Sequence, residues 1–287
     1  MHEKDIDAVT GVQTTGHEWD GIKELNNPLP RWWIWTFYVT IVWALAYTIA
    51  YPAWPMISSA TTGMLGYSSR ADVKAELAAA ETGKAAYVAA VKDKTVAEIL
   101  GDDALRQFAT AAGAAAFKVN CVQCHGSGAA GSAGYPNLND DDWLWGGAPD
   151  QIETTIAHGV RFATDGDTRF SEMPAFGEVI EKQQIAEVSA FVASLTGAAT
   201  STTLVEPGRQ VYADNCAACH GEDAKGNKEL GAPNLTDAIW LKGSGEAAIA
   251  AQVSAPKHGV MPGWKGRLGD VTVKELAVYV HSLGGGE

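Results

Sequence analysis

Two pentapeptides hold all four cysteines of the chain, Cys121-Val122-Gln123-Cys124-His125 and Cys216-Ala217-Ala218-Cys219-His220. Cysteines three positions apart lie about one helical turn from each other on one face. From there two thiols can form thioethers with the two vinyl groups of a single porphyrin. The histidine that follows is placed to bind iron, and the whole is the attachment signature of c-type haem. A lone Cys-x-x-Cys also fits a redox dithiol, half of a zinc site, or a structural disulfide. None of these calls twice for a histidine directly after the second cysteine. The spacing predicts two covalently bound haems c, held by Cys121, Cys124, Cys216 and Cys219, with His125 and His220 as proximal iron ligands.

The remaining axial position of such an iron is filled by methionine in electron carriers, by histidine, or left open for a ligand. Only Met173 and Met261 follow the haem motifs, in the matching contexts Met173-Pro174-Ala175-Phe176 and Met261-Pro262-Gly263-Trp264. Proline after the methionine keeps it extended and removes a backbone donor, which suits a loop that lays sulfur against iron. The competing role for a methionine is filling a core; its recurrence after both motifs favours ligation. His158 and His258, each followed by Gly and Val, are the rival ligands. The motifs leave open whether each methionine serves the haem of its own copy or of the other. His281 reads as a surface or packing residue, and His2 and His17 precede the apolar segment described below.

These residues belong to a repeat. Gly113, Phe117, Asn120 and Cys121 recur as Gly208, Tyr212, Asn215 and Cys216, and Pro136-Asn137-Leu138 recurs as Pro233-Asn234-Leu235. Met173, Glu187, Phe191 and Leu195 recur as Met261, Glu275, Tyr279 and Leu283, with extra residues in the first copy around Thr164-Asp165-Gly166-Asp167. Apolar residues at Ile185, Val188, Phe191 and Leu195, and at Val273, Leu276, Tyr279 and Leu283, keep helical spacing. The expectation is an all-α protein with consecutive cytochrome domains at 104–197 and 208–287, joined by a linker at 198–207. A helical spacer, rich in Ala, Glu and Lys, is expected within 55–103. Asp140-Asp141-Asp142 reads as a solvated helix start, Trp143 and Trp240 as packing near the haems, and Gly284-Gly285-Gly286 as a chain end.

Residues 32–54 hold no charge, and Trp32, Trp33, Trp35 and Tyr38 stand at one end with Tyr47, Tyr51 and Trp54 at the other. That length matches a bilayer core of ~30 Å, with aromatic rings at both interfaces. The 31 residues before it carry six acids and three bases, unlike the short basic leader of a signal peptide, so an uncleaved single-pass anchor is expected. Arg31 and Lys23 weakly favour a cytoplasmic segment at 1–31. The net charge of −13 over 287 residues offers no basic footprint for nucleic acid.

The flanking strings narrow the reading further. Gly134-Tyr135-Pro136-Asn137-Leu138-Asn139-Asp140-Asp141-Asp142-Trp143-Leu144-Trp145-Gly146-Gly147, Gly231-Ala232-Pro233-Asn234-Leu235-Thr236-Asp237 and the ending Tyr279 to Gly286 resemble the dihaem cytochrome c subunit, subunit III, of bacterial cbb3-type cytochrome c oxidases. The resemblance runs over nearly the whole chain. It implies one transmembrane helix followed by two tandem class I cytochrome c domains, and electron transfer from a donor cytochrome c, soluble or membrane-anchored, or from a cytochrome bc1 complex. It further implies passage to a monohaem cytochrome c subunit and a haem-copper subunit that reduces oxygen and pumps protons. Pro136 and Pro233 would orient the proximal histidines through their carbonyls. Haem c is attached outside the cytoplasmic membrane, so the resemblance puts the haem domains in the periplasm and the anchor in the inner membrane among its lipids.

No catalytic centre is expected in this chain alone, since two protein ligands close each iron. The alternatives are a free membrane-anchored dihaem shuttle or the cytochrome subunit of a periplasmic dehydrogenase, which the flanking strings disfavour. A dihaem peroxidase or a gas sensor would need an open or easily displaced ligand, and both copies keep Met-Pro.

Overall fold

The computed structural model describes residues 5–286; residues 1–4, His2 among them, and Glu287 lie outside the described residues. The chain divides into two compact units, residues 1–83 and 84–287.

In the first unit β1 (Thr14–Trp19) and β2 (Ile22–Leu25) form an antiparallel hairpin. Asp20 and Gly21 turn it with φ of 48° and 82°, the left-handed pair that matches the twist of two strands joined by a two-residue loop. Asp5 braces the hairpin, accepting hydrogen bonds from Lys23 Nζ at 2.9 Å and Thr14 Oγ1 at 3.0 Å. No strand was expected in this segment, and the hairpin is an addition to the all-α expectation. Helix α1 (Arg31–Ala50) follows Pro30 and buries none of its side chains. Its 20 residues give ~30 Å of helix, long and apolar enough to cross a membrane. It stops four residues short of the expected end at 54, because Tyr51 is extended, as the residue before a proline prefers. Residues 55–68 are turns and bends rather than part of a helical spacer, and helix starts only at α2 (Ser69–Asp93).

Within the second unit, the end of α2 is followed by α3 (Val96–Leu100), α4 (Asp103–Asn120), α5 (Val122–His125) and α6 (Pro149–His158). Helix α7 (Lys182–Leu195) closes the first sequence copy. The second copy supplies α8 (Val205–Asn215), α9 (Ala217–His220), α10 (Glu246–Ser254) and α11 (Lys265–His281), the last broken at Gly269 with φ 78°. Thr95 and Glu98 cap α3 reciprocally, and the Asp102 carboxylate accepts from two backbone N–H groups at the start of α4, satisfying donors that a helix start leaves free.

The cores do not follow the sequence copies. One joins Leu105, Ala109 and Phe117 of α4 and Ile152 and Ile156 of α6 to Val273, Leu276 and Val280 of α11. The other joins Ile185, Val188 and Phe191 of α7 to Val211 and Tyr212 of α8 and Ile249 and Val253 of α10. Each copy has thus given its last helix to the other. The two crossings are built alike: a Cβ on Gly113 would collide with the Glu275 carbonyl and Tyr279, and one on Gly208 with the Glu187 carbonyl and Phe191. Phe117 meets Tyr279 at 5.4 Å and Phe191 meets Tyr212 at 5.3 Å between ring centroids. The expected boundaries 104–197 and 208–287 therefore delimit repeats in the sequence, and the packed bodies exchange their final helices. Nor is the segment before 104 merely a spacer, for Val91, Val96 and Ile99 are fully buried in the first core, and Lys274 of α11 donates to the carbonyls of Lys92 and Lys94.

Candidate haem-binding sites

Each haem motif begins where a helix ends. Cys121 terminates α4 and opens the single turn α5, its carbonyl accepting from Cys124 N at 3.2 Å and His125 N at 3.0 Å. Gly126, at φ 77°, then turns the chain away. Cys216, Cys219, His220 and Gly221 repeat this with carbonyl contacts of 3.1 and 3.0 Å and a glycine φ of 82°. The four cysteines form no disulfide with one another. Burial, with the neighbouring cysteine second, pushes the Cys121 and Cys216 thiols up to about 11.

The histidines are fixed from the far side of a loop. His125 Nδ1 lies 3.0 Å from the Pro136 carbonyl and His220 Nδ1 lies 3.1 Å from the Pro233 carbonyl. Since a carbonyl only accepts, Nδ1 carries the proton and Nε2 keeps its lone pair, the tautomer a metal-bound imidazole needs. Burial holds both histidines below their ordinary pKa, opposed by those carbonyl bonds. The loops are tied back identically, Gly131 N to the His125 carbonyl and Leu138 N to that of Ala129, Gly226 N to the His220 carbonyl and Leu235 N to that of Ala224. A Cβ on Gly131 would strike the backbone of Tyr135 to Asn137 and one on Gly226 that of Ala232 to Asn234. Glycine is thus required for the loop to bring its proline carbonyl to the histidine.

The methionines follow the exchanged helices. Met261 packs against the first core together with Cys121 and Val122, while Met173 packs against the second together with Cys216 and Ala217. Met261 is anchored by two-way backbone pairing with Val160, 2.9 and 3.0 Å, and Trp264 N donates to the Ile156 carbonyl at the end of α6. The turn after Met173 lies on α10, where a Cβ on Gly177 would press on Ser254. Each core therefore gathers two cysteines, a histidine and a methionine, a donor set whose chemistry fits a c-type haem.

Family-model comparison matches residues 11–58 to the N-terminal domain of cytochrome oxidase-cbb3, FixP. Residues 108–192 and 203–280 each match cytochrome c oxidase, cbb3-type, subunit III. The chain belongs to the cbb3-type subunit III family. It is 63% identical over 284 residues, 99% of this chain and 98% of the relative, to the cbb3-type cytochrome c oxidase subunit FixP of Rhizobium meliloti. The FixP subunit of Sinorhizobium medicae is 64% identical with the same coverage, and the CcoP subunit of Cereibacter sphaeroides 52% identical over 96% of this chain and 95% of its own.

As a subunit III chain it is an electron-transfer subunit whose cytochrome c domains bind haem c. Several sequence expectations about its surroundings change. His158 Nδ1 faces both Asp165 carboxylate oxygens at 3.2 Å, and His258 lines a cleft of about 530 Å³ with Met173 and Pro174. Asp140 to Asp142 precede α6 by several residues and form a turn, Asp140 accepting from Asp142 N. The Gly284–Gly286 segment is more than a chain end, since the Trp143 indole N–H donates to the Gly285 carbonyl. Trp240, by contrast, bonds within its own loop to the Asp237 carbonyl. The spacing-based reading missed Arg161, whose only sequence signal is its place at the start of the first copy's extra residues.

Proposed function

We propose that this chain carries two covalently bound haems c, one on Cys121, Cys124, His125 and Met261, the other on Cys216, Cys219, His220 and Met173, and that it is the electron-entry subunit of a cbb3-type oxidase. The observation that carries the ligand assignment is the shared packing of Met261 with Cys121 and of Met173 with Cys216. When bound, haem c supplies a reversible one-electron couple, and a methionine ligand raises its potential relative to histidine. The protein's part is to hold both axial ligands through any change of charge at the iron. Pro136 and Pro233 hold the imidazoles, and the Val160 pairing and the α10 contact hold the methionine loops, so that a bound haem would find both of its protein ligands already positioned.

The anchor α1 holds this unit to the membrane. Haem attachment outside the cytoplasmic membrane places residues 84–287 in the periplasm and 1–31 in the cytoplasm, consistent with Lys23 and Arg31 on the inner flank. Electrons arrive from a donor cytochrome c or a bc1 complex and leave toward a monohaem cytochrome subunit and a haem-copper subunit. The test is mild detergent extraction from native membranes through a tag on this chain. Copurifying haem b, copper and cyanide-sensitive oxygen uptake are expected. Two haems c alone, under conditions that keep other complexes intact, would point to a free shuttle or a dehydrogenase partner.

A further inference from the structure

Between the two sequence copies, Val160 pairs with Met261. There Gly159 has φ 73°, and a Cβ on it would collide with the Met261 carbonyl. The next residue but one, Arg161, is also left-handed, at φ 52°, a conformation that costs a side chain energy and persists where its surroundings over-determine it. The fixed guanidinium reaches both methionine loops. Its Nε donates to the Gly259 carbonyl at 2.7 Å, two residues before Met261, and its Nη1 donates to the Ser171 carbonyl at 2.8 Å, two residues before Met173. Its backbone N–H bonds the Arg169 carbonyl at 2.8 Å, and Glu172, beside Met173, is the carboxylate that acts on its charge.

Nothing equivalent exists in the second copy. His158-Gly159-Val160 continues into Arg161 and the extra residues, whereas His258-Gly259-Val260 runs straight into Met261. One planar fork of donors, with charge-assisted bonds to two carbonyls, thus spans two loops that have no other common side chain of this kind. We propose that Arg161 is a positioning residue that holds both methionine loops through a single guanidinium, so that the two axial thioethers are seated together. The inference rests on the assignment of Met173 and Met261 as iron ligands. Loss of the fork frees both loops at once, although the residue lies in neither ligand motif.

The test uses R161M, which keeps an apolar stem without donors, and R161K, which keeps one charged point donor without the fork. Both are made in the full chain within the purified oxidase, with M173H and M261H alongside. Covalent haem content, the methionine-to-iron charge-transfer band, both reduction potentials and carbon monoxide binding by the reduced protein are read. With two haems c retained, R161M is expected to weaken the methionine band of both, lower both potentials and admit carbon monoxide to a fraction of each; R161K is expected to recover one haem more than the other. Parental bands and potentials in R161M, or a change confined to one haem, overturn the proposal. If R161M fails to accumulate, R161K decides: a loss at both haems, unequal in size, would support the proposal, and parental behaviour at both or a loss confined to one would overturn it. Were M173H and M261H each to leave both haems unaltered, the ligand assignment itself would fall, which is distinguishable from failure of the clamp alone.

Discussion

Gln123 and Ala218 stand between the two cysteines of their motifs, and a lysine at either adds positive charge close to one iron, disfavouring its oxidised form. Q123K should therefore raise one of the two potentials and A218K the other, which labels them in a redox titration. M261H should lower the potential that Q123K raises, and M173H the one that A218K raises; the opposite pairing would mean that each copy serves its own haem. Half-buried Asp142 carries a second residue-scale prediction. Burial first, then Asp237, Asp140 and Asp141, pushes its carboxyl up to about 6. A carboxyl whose folded pKa lies above its ordinary value favours folding when protonated, so that contribution is whole below about pH 4 and is lost as pH rises through about 6. D142N should flatten the stability profile between these values and unfold at higher temperature than the parent at pH 7, with parallel thermal curves counting against it. The thiols and histidines were legible because the spacing of their motifs fixes them, whereas the proline carbonyls came only through the family resemblance. Arg161 was not legible, because its role depends on a left-handed backbone and on two carbonyls 10 and 98 positions away.

Helix periodicity identifies apolar stripes on α7 and α11 but says nothing of which partner each stripe meets. The same pattern serves consecutive and exchanged packing, since Phe191 and Tyr279 occupy equivalent places and so do Gly113 and Gly208. The exchanged arrangement brings Val160 into backbone pairing with Met261, a contact invisible to composition. The anchor was legible for the opposite reason: its length, aromatic ends and acidic leader are all local to the sequence, and only its end, before Pro52, needed local geometry. The close crossings yield a prediction for the helix pairs. G113A and G208A would each push a methyl group into a carbonyl of the opposing helix, and overpacking of this kind costs about 1–3 kcal/mol. Denaturant titration of the purified complex should show a loss in that range for both. A neutral G113A would mean that α4 and α11 are less tightly apposed than their backbones indicate.

For the whole molecule, the net charge of −10 over residues 55–287 should steer encounter with the proposed donor if that donor is basic, an attraction screened within about 10 Å at 0.1 M salt. Reduction by such a donor should slow as ionic strength rises; a rate independent of salt would place docking on a neutral patch. The repeat, the anchor and the charge were all readable from the sequence at this scale, while the exchange between bodies was not. That exchange bears on manufacture as well as on architecture. On the proposed ligand pairing, the first haem motif is made well before its closing helix α11 and Met261, whereas α7 and Met173 precede the second motif in the chain. Deleting residues 265–287 should accordingly spare methionine coordination at the Cys216 haem and abolish core closure at the Cys121 haem, read as carbon monoxide binding by one haem only, although the deletion lies in the second repeat. On that pairing, the haem motif made first would be the last to gain its closing helix.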